Sequence, residues 1–107
     1  MTDDTTLGGY LVVHKRPPAF GAADGRAYSV AVFVSEAPDA TDRYGAALLF
    51  VRWSEAGDVP DGHVETDYVA FGTSPADAER AAHALSLHDV KSHLDRAIHA
   101  RQLEPDW

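Results

Sequence analysis

Two neighbouring runs, Tyr28–Ser35 and Ala46–Trp53, are apolar at almost every position, and they limit the fold more strongly than anything else in the chain. Successive side chains of an extended strand point to opposite faces. Tyr28, Val30, Val32 and Val34 therefore share one face of the first run, and Ala31 and Phe33 share the other. In the second run Leu48 and Phe50 oppose Leu49, Val51 and Trp53. A sheet with one face in water alternates apolar with polar residues. These two runs do not, so both of their faces need cover.

The remaining sequence supplies cover for one face. Turn-forming segments at Pro17-Pro18, Asp24-Gly25, Pro38–Asp42 and Gly57–Gly62 separate four β-rich stretches, Tyr10–His14, Tyr28–Ser35, Ala46–Trp53 and Val64–Phe71. Connections too short for crossover helices predict an antiparallel meander. After Phe71 the period changes. Ser74-Pro75 followed by Asp77 carries a helix-start signature, and Ala78, Ala81, Ala82 and Leu85 fall on one helical face. Ser86 with Asp89 repeats the signature, which predicts a break or kink. Leu87, Val90, Leu94, Ala97 and Ile98 then form a second stripe, with a helix end expected near Leu103 before Pro105. The expected fold is α+β: a four-stranded antiparallel meander in the order β-β-β-β-α-α, with the C-terminal helices packed on one sheet face. Residues 1–9 read as a flexible lead, 10–104 as a single domain and 105–107 as a tail.

A single helical layer leaves the second face open, and a large exposed apolar patch marks an interface. A second copy of the chain, packed sheet on sheet about a two-fold axis, is the expected cover. The candidate dimer-face residues are Val30, Val32, Val34, Leu49, Val51 and Trp53. The competing arrangement is a monomer in which the loop Pro17–Arg26, with Phe20, folds back over that face.

Composition removes several function classes. Without cysteine there is no disulfide, thiolate nucleophile, iron–sulfur cluster or cysteine-based zinc site. Nine Lys and Arg against seventeen Asp and Glu leave a net charge of −8. That charge repels phosphate backbones, so nucleic acid is disfavoured as a partner and a basic protein is favoured. No apolar run approaches the roughly 20 residues that cross a bilayer, and Met1–Asp4 is acidic where a secretory signal is basic. The expected location is cytoplasmic, with no membrane partner.

His63, Glu65 and Asp67 alternate along the fourth stretch and so project from one face; Tyr68 adjoins them, and His14 approaches if the first and fourth strands are neighbours. Imidazole and carboxylates in that array bind divalent cations or exchange protons. The same alternation also keeps charge on the solvent side of an edge strand, and no metal or cofactor is assigned. Four histidines, His83, His88, His93 and His99, lie in the helical third. Their spacing avoids the i, i+3 and i, i+4 separations through which two helical ligands share a metal. Only His93 falls at the edge of the apolar stripe, where its protonation would be coupled to packing.

The stretch from Ala81 to Ile98 locally resembles a helix-turn-helix of the LuxR regulator type, particularly at Val90-Lys91-Ser92-His93-Leu94. The resemblance implies DNA binding, but the spacing of Ala82 and Val90 departs from the motif's register, and Asp89 and Asp95 stand where phosphates would approach. The function expected from the residues is a small non-catalytic binding or regulatory domain, homodimeric through its sheet. The alternatives are a small enzyme or small-molecule-binding protein with a pocket between sheet and helices, touched by Tyr28, His63 or Tyr68, and a nucleic-acid binder.

Overall fold

The structure, a computed structural model, describes residues 5–37 and 43–102; the expected helix end at Leu103, the tail 105–107 and the first four residues of the expected lead lie outside that range. In chain order the elements are α1 (Leu7–His14), β1 (Ala19–Gly21), β2 (Ala27–Glu36), β3 (Tyr44–Trp53), β4 (Pro60–Glu65), β5 (Ala70–Gly72), α2 (Pro75–His83) and α3 (Leu87–Gln102). The strands form one antiparallel sheet in the order β1-β2-β3-β4, with β5 also on β3. The α+β meander with C-terminal helices is therefore present, with a fifth strand added.

The two apolar runs pair with each other over their whole length, from Tyr28 opposite Arg52 to Glu36 opposite Tyr44. One face of this pair carries Tyr28, Val30, Leu48 and Phe50, all buried against Val90, Leu94 and Ile98 of α3 and Leu7 of α1. Each of these side chains contributes about 1.5–3 kcal/mol by leaving water. At the other end of the same face, Ala46 meets Ala78 and Ala82 of α2. These small residues let α2 sit close to the sheet. Ser74 starts α2 as expected, accepting from the Asp77 amide at 3.1 Å with Pro75 next in line. The chain breaks at Ala84–Ser86, and Ser86 accepts from the Asp89 amide at 3.0 Å, so the helical third is two helices rather than one kinked helix.

The first expected strand is not where the sequence places it. Tyr10–His14 belongs to α1, and the sheet begins instead at Ala19, beyond the prolines. Thr6 caps α1 by accepting from the Gly9 amide at 3.0 Å. The segment before it is clasped to the turn between α2 and α3: Leu7 N–H donates to the Leu85 carbonyl at 2.9 Å, and Leu87 N–H donates to the Thr5 carbonyl at 2.7 Å. Leu7, read as part of a flexible lead, is only 1% exposed. Val12 and Val13, which suggest a strand, are 65% and 45% exposed, so no sheet or core claims them. Tertiary anchoring at the start of the segment overrides its β propensity.

The fourth expected strand, Val64–Phe71, is split. From Leu49 to Arg52, partners on β3 and β4 have residue numbers summing to 114, as for Phe50 and Val64, before the register shifts at Trp53, whereas on β3 and β5 they sum to 116, as for Ala46 and Ala70. Two extra residues therefore loop out of the edge strand between Glu65 and Ala70. Thr66 holds the start of the loop, donating its N–H to the Leu48 carbonyl and accepting the Leu48 N–H on its side-chain oxygen, both at 3.0 Å.

Candidate functional site

All three described helices lie on the Tyr28–Phe50 side, so among the described residues no helix covers the opposite face. Strand register shows that this open face carries Ala31 and Phe33 of β2 beside Leu49 and Ala47 of β3, then Val51 and Trp53. Val30, Val32 and Val34 belong to the other face and pack toward the helices. The sequence-derived dimer set is thus divided: Leu49, Val51 and Trp53 remain on the open side, and Ala31 and Phe33 take the place of the three valines. The covering loop that would make a monomer self-sufficient is absent among the described residues. Phe20 pairs opposite Tyr28 in β1 and packs into the helix-side core instead.

Two aromatic side chains frame the open face. Tyr68, delivered by the two-residue loop, lies flat over Gly45, where a Cβ would collide with its ring. Its hydroxyl lies 2.7 Å from Ser35 Oγ and donates to the Glu36 carbonyl at 3.1 Å. At the other end Trp53 Nε1 donates to Ser29 Oγ at 3.1 Å. Phe71 meets Tyr68 edge-on with 5.7 Å between centroids, and the Arg43 guanidinium stacks over Phe71 at 4.2 Å. Between the frames Phe33 is 40% exposed.

His63 and Glu65 stand side by side on this face, beside Val51 and Leu49, with 3.5 Å between His63 Nε2 and Glu65 Oε1. Asp67 does not join them, because the inserted loop removes it from the alternation. His14 lies on α1, stacked on Tyr10 at 4.1 Å, rather than on a strand next to β4. Among the described residues no group of three or more His, Asp or Glu is arranged to hold a metal ion. Tyr28 is fully buried, and its hydroxyl donates to Asp24 at 2.6 Å. Burial first, then Asp24, pushes its pKa up to about 12. It is a core residue. Nearby, Asp61 receives both Arg26 and Arg52, and Arg26 first, then Arg52, hold its carboxyl below the usual range. That cluster ties the β3–β4 turn to β2.

A groove runs along the outer edge of β4 between the strand and α3. One end, 390 Å³, is lined by Asp67, Tyr68, Val69, His93 and Arg96; the other, 250 Å³, by His63, Val64 and Arg101. Glu65, Ala97 and Ala100 are common to both. Sequence reading missed this groove because it depends on where α3 crosses the sheet; the signal was the pair of alanines on an otherwise bulky helix. At its upper end Arg96 donates to His93 Nδ1 at 2.9 Å. Burial first, then Arg96, lowers the His93 pKa from its ordinary 6.5, against a weaker pull from Asp89. Folding therefore favours neutral imidazole. As pH falls below 6.5 the unfolded chain takes up a proton that the folded chain refuses, so stability declines until the lowered folded value is passed. The urea midpoint of the wild type should fall more between about pH 7 and pH 5 than that of His93→Gln. Parallel profiles would show that His93 is uncoupled from folding.

The chain matches no protein-family model, no curated protein and no solved structure. No helix among the described residues is long and apolar enough to cross a membrane.

Proposed function

We propose that this domain is a non-catalytic interaction module that self-associates through the open face of its sheet. The observation that carries the reading is the strip Ala31, Phe33, Leu49, Val51 and Trp53, on the face opposite the one that holds every described helix. Three strands at about 4.8 Å and seven residues at about 3.4 Å make a patch of roughly 14 by 24 Å. Two such patches bury on the order of 700 Å², the range of transient rather than obligate contacts. An area of this size fits a weak, reversible dimer. The centre of the strip is uncharged, so a chain of net charge −8 can approach its copy with its acids at the rim. Arg43 over Phe71 and Glu65 beside His63 place opposite charges at different heights along the same edge. Two antiparallel copies can then pair cation with anion.

Sedimentation across micromolar to millimolar concentrations tests the reading. The wild type should shift from 11.5 kDa toward twice that mass. Leu49→Arg, at a partly exposed position, should stay folded and monomeric. A wild type that sediments only as an 11.5 kDa species at millimolar concentration would overturn the proposal.

A further inference from the structure

We infer that the outer edge of β4 is a second self-association surface, where another copy of the chain adds antiparallel about a two-fold axis through Val64 and so joins open-face dimers into a tetramer. The main-chain groups on offer follow from the pairing of Thr66 with Leu48. Hydrogen-bonded and non-hydrogen-bonded pairs alternate along an antiparallel ladder. Thr66 exchanges bonds with Leu48, so Val64 and Gly62 also turn their N–H and C=O groups toward β3. His63 and Glu65 direct theirs outward, and among the described residues no strand pairs with that side of β4.

Parity and charge together select one register. Outward groups meet outward groups only when the two-fold axis passes through a residue rather than between two. An axis at Gly62 relies on Asp61, whose carbonyl already accepts from Arg52 at 3.3 Å and whose carboxylate holds both Arg26 and Arg52. An axis at His63 sets Asp61 against Glu65, and one at Glu65 sets that carboxylate against its own copy, both destabilising pairs. An axis at Val64 sets His63 opposite Glu65 of the copy on either side of it, in pairs that exchange both main-chain bonds. His63 already lies 3.5 Å from Glu65 of its own strand, so imidazoles and carboxylates alternate around a square with like groups on the diagonals. Asp67, next in the series, has left the ladder in the loop that Thr66 starts. On the helix side Val64 meets Val64 of the copy beside the groove, where Ala97 and Ala100 leave room. A foreign strand would have to bring these complements in its own sequence, whereas the copy already carries them.

The tetramer rests on the open-face reading. One edge pairing is too short to hold two separate chains, since only His63 and Glu65 engage. Antiparallel strands of one sheet are related by an axis perpendicular to that sheet, whereas the open-face axis lies in the plane between two sheets. With the face-packed copies antiparallel, that axis crosses the strands and brings both β4 edges to the same side of the sandwich. Two dimers then meet through two edge pairings at once, the second of them intramolecular. Perpendicular axes close the assembly at four chains.

Sedimentation of the full chain up to millimolar concentration is the test. At the top of the range the wild type should pass the dimer and approach four times 11.5 kDa. His63→Glu and Glu65→Lys should each weaken tetramer formation at least tenfold. Both positions stand at the rim of the open face, where a charge contributes little, so the dimer remains. An equimolar mixture of the two variants should restore the tetramer, because every opposed pair again joins an acid to a base. His63→Pro, which removes an outward N–H, should also stop at the dimer. A wild type that goes no further than the dimer, a tetramer that survives His63→Pro, or a mixture no better than its parts overturns the edge inference and leaves the open-face reading standing. A wild type that stays at 11.5 kDa overturns both. Urea unfolding of each variant separates loss of the edge from loss of the fold.

Discussion

Phe50→Ala is expected to remove about half of the domain's stability. Phe50 is fully buried at the middle of β3, opposite Val30 on one side and Val64 on the other, beneath α3. Removing a core phenyl ring costs about 3–5 kcal/mol, through lost transfer energy and through the cavity that rigid neighbours cannot close. A domain of this length buries a modest fraction of its surface and has about 5–10 kcal/mol in total. The midpoint of urea unfolding, followed by far-ultraviolet circular dichroism, should fall by roughly half, whereas Val12→Ala, at a solvent-exposed helical position, should stay within about 0.5 kcal/mol of the parent. A loss below about 1 kcal/mol for Phe50→Ala would mean that the core is not centred on β3.

The second large effect comes from adding atoms. A Cβ at Gly72 would lie 2.7 Å from the Asp77 carbonyl carbon and the Asp77 Cβ, and closer still to the Ala78 nitrogen. Those are largely main-chain atoms of the first turn of α2, which cannot turn aside as a flexible side chain would. Gly72→Val must therefore lift α2 from β5 and separate Ala78 and Ala82 from Ala46. Overpacking of this kind costs about 1–3 kcal/mol, and the valine should reach or exceed the upper figure because backbone has to move. Gly21→Val is the control, since a Cβ there meets nothing within 4 Å. Equal unfolding midpoints for the two variants would contradict the close seating of α2.

How much of this was legible in the sequence depends on how local each cause is. β2, β3 and the start of α2 were readable because continuous apolar runs and the Ser74-Pro75 cap act within a few residues. α1 was not: its position rests on the Leu7 N–H donating to Leu85 and the Thr5 carbonyl accepting from Leu87, some eighty residues away. The faces of β2 and β3 were separable by alternation alone, but which face the helices take depends on where α3 crosses. That is why Val30, Val32 and Val34 were grouped with Leu49 and now lie opposite it. At the candidate site, His63 and Glu65 come together as alternation requires. Asp67 does not, because the side-chain oxygen of Thr66 stands in for a main-chain acceptor and lets the strand leave its ladder.

The excursion between Glu65 and Ala70 is two residues longer than the stretch of β3 opposite it, and the even number matters. A pleated strand is two-sided, so an insertion of one would have turned Ala70 and Phe71 over, exposing the small residue and driving the ring into α2. An insertion of two returns the strand in phase, and whatever it carries hangs outside the hydrogen-bonded frame. This border can therefore gain or shed residues in couples, as a hem can be let out by whole stitches, and vary what overhangs the sheet without re-cutting the interior beneath it.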